Sequence, residues 1–394
     1  VAKLTIERLD LDGRRVFLRA DLNAPLDRGT VSDDTRLRAV VPTIQYATSR
    51  GAAVVLASHL GRPPGRPTPE ASLRPVAERL EALLAQPVPL APDCVGAEVT
   101  ERAQGLKAGQ VLLLENLRFH KEEEANDEVF ARALAALGDC YVNDAFAAAH
   151  RAHASIAAIT KFLQPAAAGL LMQKELNALT RIMERPERPL AAVLGGAKVS
   201  DKLALVENLL ARVDALLIGG GMAFTFLSAL GHDVGRSLLE REQIDTARRI
   251  LTAARRRGVP LVLPIDVVVA AGPNSPAGAV VGIREIPASL MGLDIGPLTV
   301  ERFAATLKPA RTIVWNGPLG VFEKPGFAAG TLGVARAVAA GSGFSVVGGG
   351  DTVAAVNAAG VADRIGYIST AGGAFLEFLE GRSLPGVQAL TEAS

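Results

Sequence analysis

The chain has 394 residues, 49% hydrophobic and 21% charged, with 42 Lys and Arg against 41 Asp and Glu for a formal net charge of +1. That length fits two domains of ordinary size, and that composition supplies apolar side chains for two cores, which excludes a mostly disordered chain. The balanced charge provides no field for gathering nucleic acid or an anionic membrane, so neither is expected as a partner.

The opening stretch, VAKLTIERLDLDGRRVFLRADL, carries charges at short intervals and no apolar core, so it does not read as a signal peptide. No apolar run approaches the roughly 20 residues that span a bilayer. Cys94 and Cys140 are the only cysteines, too few for a disulfide framework or a zinc site, and a cytoplasmic setting is the simplest expectation.

In chain order, RVFLRADLNAP (15–25) reads as a strand in which Arg19, Asp21 and Asn23 share one face at period two. Asp21 and Asn23 fall at its carboxyl end, suited to a hydroxyl or carboxylate of a small ligand, with a plain hydrophilic turn as the alternative. Further short aliphatic runs follow: VVLAS (54–58), VLLLE (111–115), CYVND (140–144), AAVLGG (191–196), ALLIGGG (215–221), PLVLP (260–264), TIVWNG (312–317) and SVVGGG (345–350). Helical patterns separate them, which argues for α/β architecture with parallel sheets flanked by helices. LGRPPGRPTPE (60–70) is too rich in Pro and Gly for a helix or central strand and is expected at the surface. AAAGLLMQKELNALTRIMERPERPL (166–190), closed by prolines, reads as a helix joining two βα series.

Cations recur just after the strands of the first half. Arg36 opens a helix, His59 and Arg62 follow VVLAS, Arg118 follows VLLLEN, and His150, Arg151 and His153 follow CYVNDAF. Guanidinium groups converging there repel one another unless a small polyanion neutralises them, and Arg binds phosphate or carboxylate in bidentate fashion. The i,i+3 spacing of His150 and His153 permits one helical face, but without a nearby Cys, Glu or third His it does not make a zinc site.

The second half carries glycine junctions instead. After AAVLGG, Lys198 and Lys202 are spaced to share a helix face near its start, where two cations oppose each other and the helix dipole. A polyphosphate would reverse that cost; solvated surface is the alternative. Neither GxxxxGK[ST] nor a GxGxxG after a strand occurs, so this is not a Walker loop or a dinucleotide fingerprint. In GGGDT, Asp351 reads as the N-cap of a helix from Thr352. A phosphate beside that carboxylate would need an intervening Mg2+.

The motifs RADLNAP, SHLGRP, LENLRF, AHRAH, GGAKVSDK, IGGGMA, LDIGP, WNGPLGVFE, GGGDT, STAGGA and LPGVQAL stand in this order along essentially the whole chain, which thereby resembles the phosphoglycerate kinase family. The resemblance implies two Rossmann-like domains joined by an interdomain helix and hinge. Their expected ranges are 1–168 for 3-phosphoglycerate, 169–186 for the helix and 187–379 for the nucleotide, with a tail of about 380–394 packing back on the first domain. It further implies that Asp21, Leu22, Asn23, Arg36, His59, Leu60, Gly61, Arg62, Arg118 and Arg151 serve the 3-phosphoglycerate site. Lys198, Lys202, Gly292, Asn316, Glu323, Gly349, Gly350, Asp351 and Thr352 would serve ATP or ADP, with Asp351 toward Mg2+. Arg36, Lys198, Lys202, Gly372 and Gly373 would act on the phosphoryl group in flight. A monomer is the family expectation.

Two places depart from the family pattern. Ala371 replaces the first of three glycines, where a Cβ would resist a positive φ, and Ala147 and Ala148 replace Gly-Thr. The implied reaction needs no general base, because a carboxylate acceptor is already ionised; cations and alignment carry it. The rival readings are a kinase for another small carboxylate or phosphate acceptor, and a nucleotide-binding protein with weakened catalysis.

Overall fold

A computed structural model describes residues 2–393; Val1 and Ser394, the outer limits of the expected domain ranges, lie outside the described residues. The chain divides into two compact units, Val1–Asn177 with Ser383–Ser394, and Ala178–Arg382.

The first unit runs through β1 (Arg15–Arg19), a hairpin of β2 (Leu26–Asp27) and β3 (Thr30–Val31), α1 (Thr35–Ser49), β4 (Ala53–Ala57), α2 (Arg74–Leu84), α3 (Ala97–Gln104), β5 (Val111–Leu113), α4 (Lys121–Glu124), α5 (Glu128–Ala135), β6 (Cys140–Asn143) and β7 (Ala166–Ala168). Its main sheet is parallel throughout, in the order β5-β4-β1-β6-β7. Both faces are covered, so the strands are unbroken apolar runs with no in-out alternation. Val16, Leu18, Val54 and Leu56 share one core with Leu37, Val40 and Ile44 of α1. β1 ends at Arg19, which places Asp21 and Asn23 in the loop beyond it and not on a shared strand face.

α6 (Leu170–Met183) crosses the division between Asn177 and Ala178. The segment expected as one helix from 166 therefore begins as a strand: Ala166, Ala167 and Ala168 pair with Tyr141, Val142 and Asn143. Alanine favours helix, but completing the sheet beside β6 overrides that weak preference. Asp144, at the end of β6, then starts the helix from outside, its Oδ1 accepting from the amides of Leu171 at 2.9 Å and Met172 at 3.0 Å.

The second unit contains β8 (Leu190–Leu194), α7 (Leu203–Leu210), β9 (Ala215–Ile218), α8 (Met222–Ala229), α9 (Ile244–Arg257), β10 (Leu261–Val262), β11 (Asp266–Ala270), β12 (Ala279–Gly282), β13 (Met291–Ile295), α10 (Pro297–Leu307), β14 (Thr312–Asn316), α11 (Ala329–Ala340), β15 (Phe344–Gly348), α12 (Gly350–Ala358), β16 (Tyr367–Ser369) and α13 (Gly373–Leu379). Six strands form a parallel sheet in the order β10-β9-β8-β14-β15-β16. Its core gathers Val193, Leu217, Trp315 and Val347 with Phe303, Leu307, Val334 and Val338. Beside the expected parallel sheet this unit has a smaller antiparallel one, β12-β11-β13, which the sequence reading did not include.

The last segment, with α14 (Pro385–Gln388), belongs to the first unit. Gly386 N donates to Ala149 O at 2.8 Å and Thr391 N to Ala166 O at 2.9 Å. Among the described residues no helix is long and apolar enough to cross a membrane.

In both parallel sheets the chain lays strands to one side of its first strand and then to the other. The order reverses between β1 and β6, and again between β8 and β14. Such reversals open a crevice beyond the carboxyl ends of the strands, where ligands bind in open α/β sheets.

Candidate active site

In the first unit the loops after β1, β4 and β5 are tied together by polar contacts. Arg36 Nη1 donates to Asp21 Oδ2 at 3.0 Å, Gly61 N to Asn23 Oδ1 at 2.8 Å, and Arg118 Nη1 to Gly61 O at 2.7 Å. Asp21, Asn23, Arg36, Gly61 and Arg118 thus form one connected set, and Arg62 is exposed beside it. Arg151 follows a 3-10 turn, Phe146–Ala148, in which Ala148 packs with Ala145 and Ile156.

Arg19 is 1% exposed and lies beneath this set. Its Nε donates to Ser155 Oγ at 2.8 Å, and its Nη2 meets His59 Nδ1 at 3.2 Å. A guanidinium only donates, so His59 Nδ1 accepts and the ring proton resides on Nε2. Burial, and then the charges of Arg19 and Arg118, hold His59 well below the ordinary imidazole value, so it is a neutral donor at physiological pH. Burial also lowers Arg118, with Glu124 opposing and Arg151 and Arg19 adding to the fall. These mutual influences show that the positive groups converge.

Leu22 and Leu60 are placed differently from the rest. Both side chains are in the core. Leu22 N donates to Ser58 Oγ at 2.9 Å, and Leu60 O accepts from Asn116 Nδ2 at 2.8 Å. They hold the loops in place. His150 and His153 share no helical face, because no helix spans them. His153 is buried with its ring lowered to about 4, by burial first and then by Arg19 and Arg118.

In the second unit the loops after β8 and β14 press backbone against backbone. A Cβ on Gly195 would stand 2.1 Å from Pro318 O, and Gly317, at φ +95°, would place one 2.2 Å from Gly195 O. Only glycine permits this crossing. Lys202 Nζ donates to Asn316 Oδ1 at 2.5 Å and Asn316 O at 3.2 Å. Asn316 Nδ2 donates to Gly348 O at 2.8 Å, and Gly317 N to Thr352 Oγ1 at 2.7 Å. Lys202, Asn316, Thr352 and the start of α12 are therefore one hydrogen-bonded unit. Burial lowers Lys202 to about 8, against the pull of Asp351 and Asp201.

Lys198 is exposed in the loop, and α7 begins only at Leu203 after a 3-10 turn, Ser200–Lys202, so the two lysines do not share an α-helical face. Glu240 holds this turn from outside, accepting from Val199 N at 2.6 Å and Ser200 N at 3.1 Å. Asp351 is also not a cap. α12 starts at Gly350 with Gly349 (φ +93°) as N-cap, and Asp351 is an exposed first-turn residue with no cap bond. Ala371 escapes the expected strain, because the left-handed position is Gly372 (φ +50°), the N-cap of α13 before Gly373.

A cavity of about 390 Å³ adjoins this unit, lined by Gly196, Gly220, Phe224, Leu238, Gly292, Leu293, Pro318, Glu323 and Asp351 among others. Gly292 is required there, since a Cβ would stand 2.1 Å from Phe224 Cζ. The slot suits a flat apolar group with carboxylates available for hydroxyls. The structure thus brings Gly292, Glu323 and Asp351 to one cavity and links Lys202, Asn316 and Thr352 by hydrogen bonds. Sequence reasoning gave no role to Phe224, Leu238 or Glu240, whose relevance is purely spatial. Arg19 had a signal, an arginine directly following the apolar run Val16–Leu18 at the carboxyl end of β1.

The family model for phosphoglycerate kinase matches residues 6–382. A phosphoglycerate kinase of Moorella thermoacetica is 56% identical over 393 residues, covering 100% of each chain. One from Koribacter versatilis is 54% identical over 405 residues, covering 99% of this chain and 100% of its own. Among solved structures, phosphoglycerate kinase from Coxiella burnetii superposes with a TM-score of 0.92 at 43% identity, and that from Pyrococcus horikoshii with 0.83 at 36%, each covering 98% of both chains. With a family match over nearly its whole length and relatives above half identity, the chain belongs to the phosphoglycerate kinase family.

Proposed function

We propose that the chain catalyses reversible transfer of a phosphoryl group between ATP and the carboxylate of 3-phosphoglycerate, giving ADP and 1,3-bisphosphoglycerate, with the acceptor on the first unit and the nucleotide on the second. The observation that carries this division is the pair of strand-order reversals with opposite equipment. One has convergent arginines and a neutral His59; the other has glycine junctions, Lys202 and an apolar cavity.

Asp21, Asn23, His59, Arg62, Arg118 and Arg151 would hold 3-phosphoglycerate, with Arg36 turned from Asp21 toward the transferring oxygens. Gly292 and Phe224 would flank the base, Glu323 the ribose, and Gly349, Gly350 and Thr352 the phosphates, with Lys198, Lys202 and Asn316 beside the transferring group. Gly372 and Gly373 would present amides to it. Among the described residues no three acidic, His or Cys donors converge at Asp351, which fits Mg2+ completing its shell from phosphate oxygens and water. Bound Mg2+ would neutralise phosphate charge. The acceptor carboxylate attacks as it stands, so charge neutralisation and alignment supply the catalysis.

Because the two sets belong to different units, transfer requires them to meet around the bound substrates, with α6 as the connecting element. One chain carries both sets, so a monomer suffices, and two free buried cysteines suit the cytoplasm. Binding measurements on three variants test the assignment. Arg118→Ala should weaken 3-phosphoglycerate and spare ADP, and Lys202→Met should do the reverse. Arg36→Ala should lower kcat by about 10²-fold or more with ADP affinity unchanged. Equal losses of both ligands in each variant would contradict the division.

A further inference from the structure

Outside both residue sets, among the described residues, one group of donor side chains converges without a role in the reaction. Asp93 and Cys94 lie in the loop before α3, and His120 stands just ahead of α4, two residues beyond Arg118. A carboxylate oxygen of Asp93, Sγ of Cys94 and a ring nitrogen of His120 all lie within 4.8 Å of one another. We propose that these three side chains form a site for a thiophilic divalent cation, zinc first, distinct from the magnesium position proposed at Asp351.

The donors are held in place by their surroundings. His120 Nε2 is 2.7 Å from Asp93 Oδ1, and the His120 ring stacks on Phe130 at 5.2 Å. Cys94 is fully buried, while the Asp93 and His120 side chains are 44% and 28% exposed, so the cluster has a sulfur floor and an open, polar side. Tetrahedral zinc, with bonds of about 2.0–2.3 Å, spaces its ligand atoms roughly 3.3–3.7 Å apart. The three atoms, all within 4.8 Å of one another, are close enough to reach that spacing, and a small opening of the 2.7 Å Asp93 to His120 contact accommodates the ion. Three protein donors leave a fourth position for water. Thiolate with imidazole selects zinc or cobalt over magnesium and calcium, which prefer all-oxygen shells.

Binding is balanced by one released proton. The Cys94 S–H bond breaks, its proton goes to solvent, and sulfur binds the metal as thiolate. The imidazole proton, on Nε2 in the hydrogen bond to Asp93, passes through solvent to Nδ1, so that Nε2 offers its lone pair and the hydrogen bond is replaced by two metal bonds. Because His120 lies on the same connection as Arg118, an occupied site would clip the Asp93 loop to the segment that carries Arg118. The motif was not legible in sequence, since Cys94 and His120 are far apart in the chain and no second cysteine accompanies them.

Titration of the full-length, nucleotide-free, chelator-stripped protein with Co2+, then displacement by Zn2+, tests the proposal. One equivalent should produce a thiolate-to-cobalt charge-transfer band with release of one proton, and excess Mg2+ should leave the band in place. The band should vanish in Cys94→Ser, weaken in His120→Gln and Asp93→Asn, and persist in Cys140→Ser and Asp351→Asn. If Cys94→Ser does not fold, as judged by circular dichroism, the His120 and Asp93 variants decide. No thiolate band, a band that survives Cys94→Ser, a band unmoved by both His120→Gln and Asp93→Asn, or one lost with Asp351→Asn would overturn it. In the first case the cluster is only a hydrogen-bonded pair packed on a buried thiol.

Discussion

Lys202 shows how a single side chain couples burial to ligand charge. Burial lowers its ammonium to about 8, against the pull of Asp351, so the free protein loses this charge as pH rises through that value. A bound phosphate favours the ammonium, and ADP affinity should therefore fall above about pH 8, by at most tenfold per pH unit. Titration calorimetry across about pH 7 to 9 checks this, and Lys202→Met should flatten the profile. Fold stability runs the other way. The folded state disfavours the ammonium, so this residue's contribution is fully present above the ordinary lysine value and is lost as pH falls through about 8. Ala371 carries a second prediction. Its backbone is not left-handed whereas Gly372 is, so Ala371→Gly should leave turnover unchanged and Gly372→Ala should cost about 1–2 kcal/mol of stability by denaturation. Residue types and order made these positions visible in the sequence. Which glycine takes positive φ depends on the path of the turn, and the letters Ala-Gly-Gly do not specify that.

At the scale of elements, strands with unbroken aliphatic runs were legible, and β4, β6, β8, β14 and β15 fall where expected. The failures share one cause: tertiary partners decide a short segment's fate. Ala166–Ala168 becomes a strand because β6 lacks a neighbour on that side, and the turn before α7 is held by Glu240, forty residues away. Helix starts are likewise supplied from outside. Asp266 accepts from Leu298 N and Thr299 N at the start of α10, as Asp144 does for α6. Asp144→Ala should therefore cost about 1–2 kcal/mol in urea unfolding, while Asp144→Asn, an equally good cap acceptor, should cost little. Equal losses would mean that the Asp144 charge, and not its acceptor oxygen, starts α6.

For the whole molecule, the alternation of strands and helices conveyed the α/β class and two sheets, but not that each sheet reverses its strand order where the charged residues gather. That coincidence turns scattered motifs into two candidate sites of opposite character on one chain. The small antiparallel sheet around β11 was not read from the sequence, its first two strands being separated by the Gly- and Pro-rich stretch AGPNSPAG, yet β13 supplies Gly292 to the cavity. On the proposed function, these two equipped crevices cooperate in one transfer between a nucleotide and a phosphorylated carboxylate. A coupled assay of ADP release from Mg-ATP measures it directly. The account predicts turnover that depends on 3-phosphoglycerate, is not supported by glycerate or acetate, and stops when chelator removes Mg2+; folded protein that binds ADP yet releases none in response to 3-phosphoglycerate would contradict it.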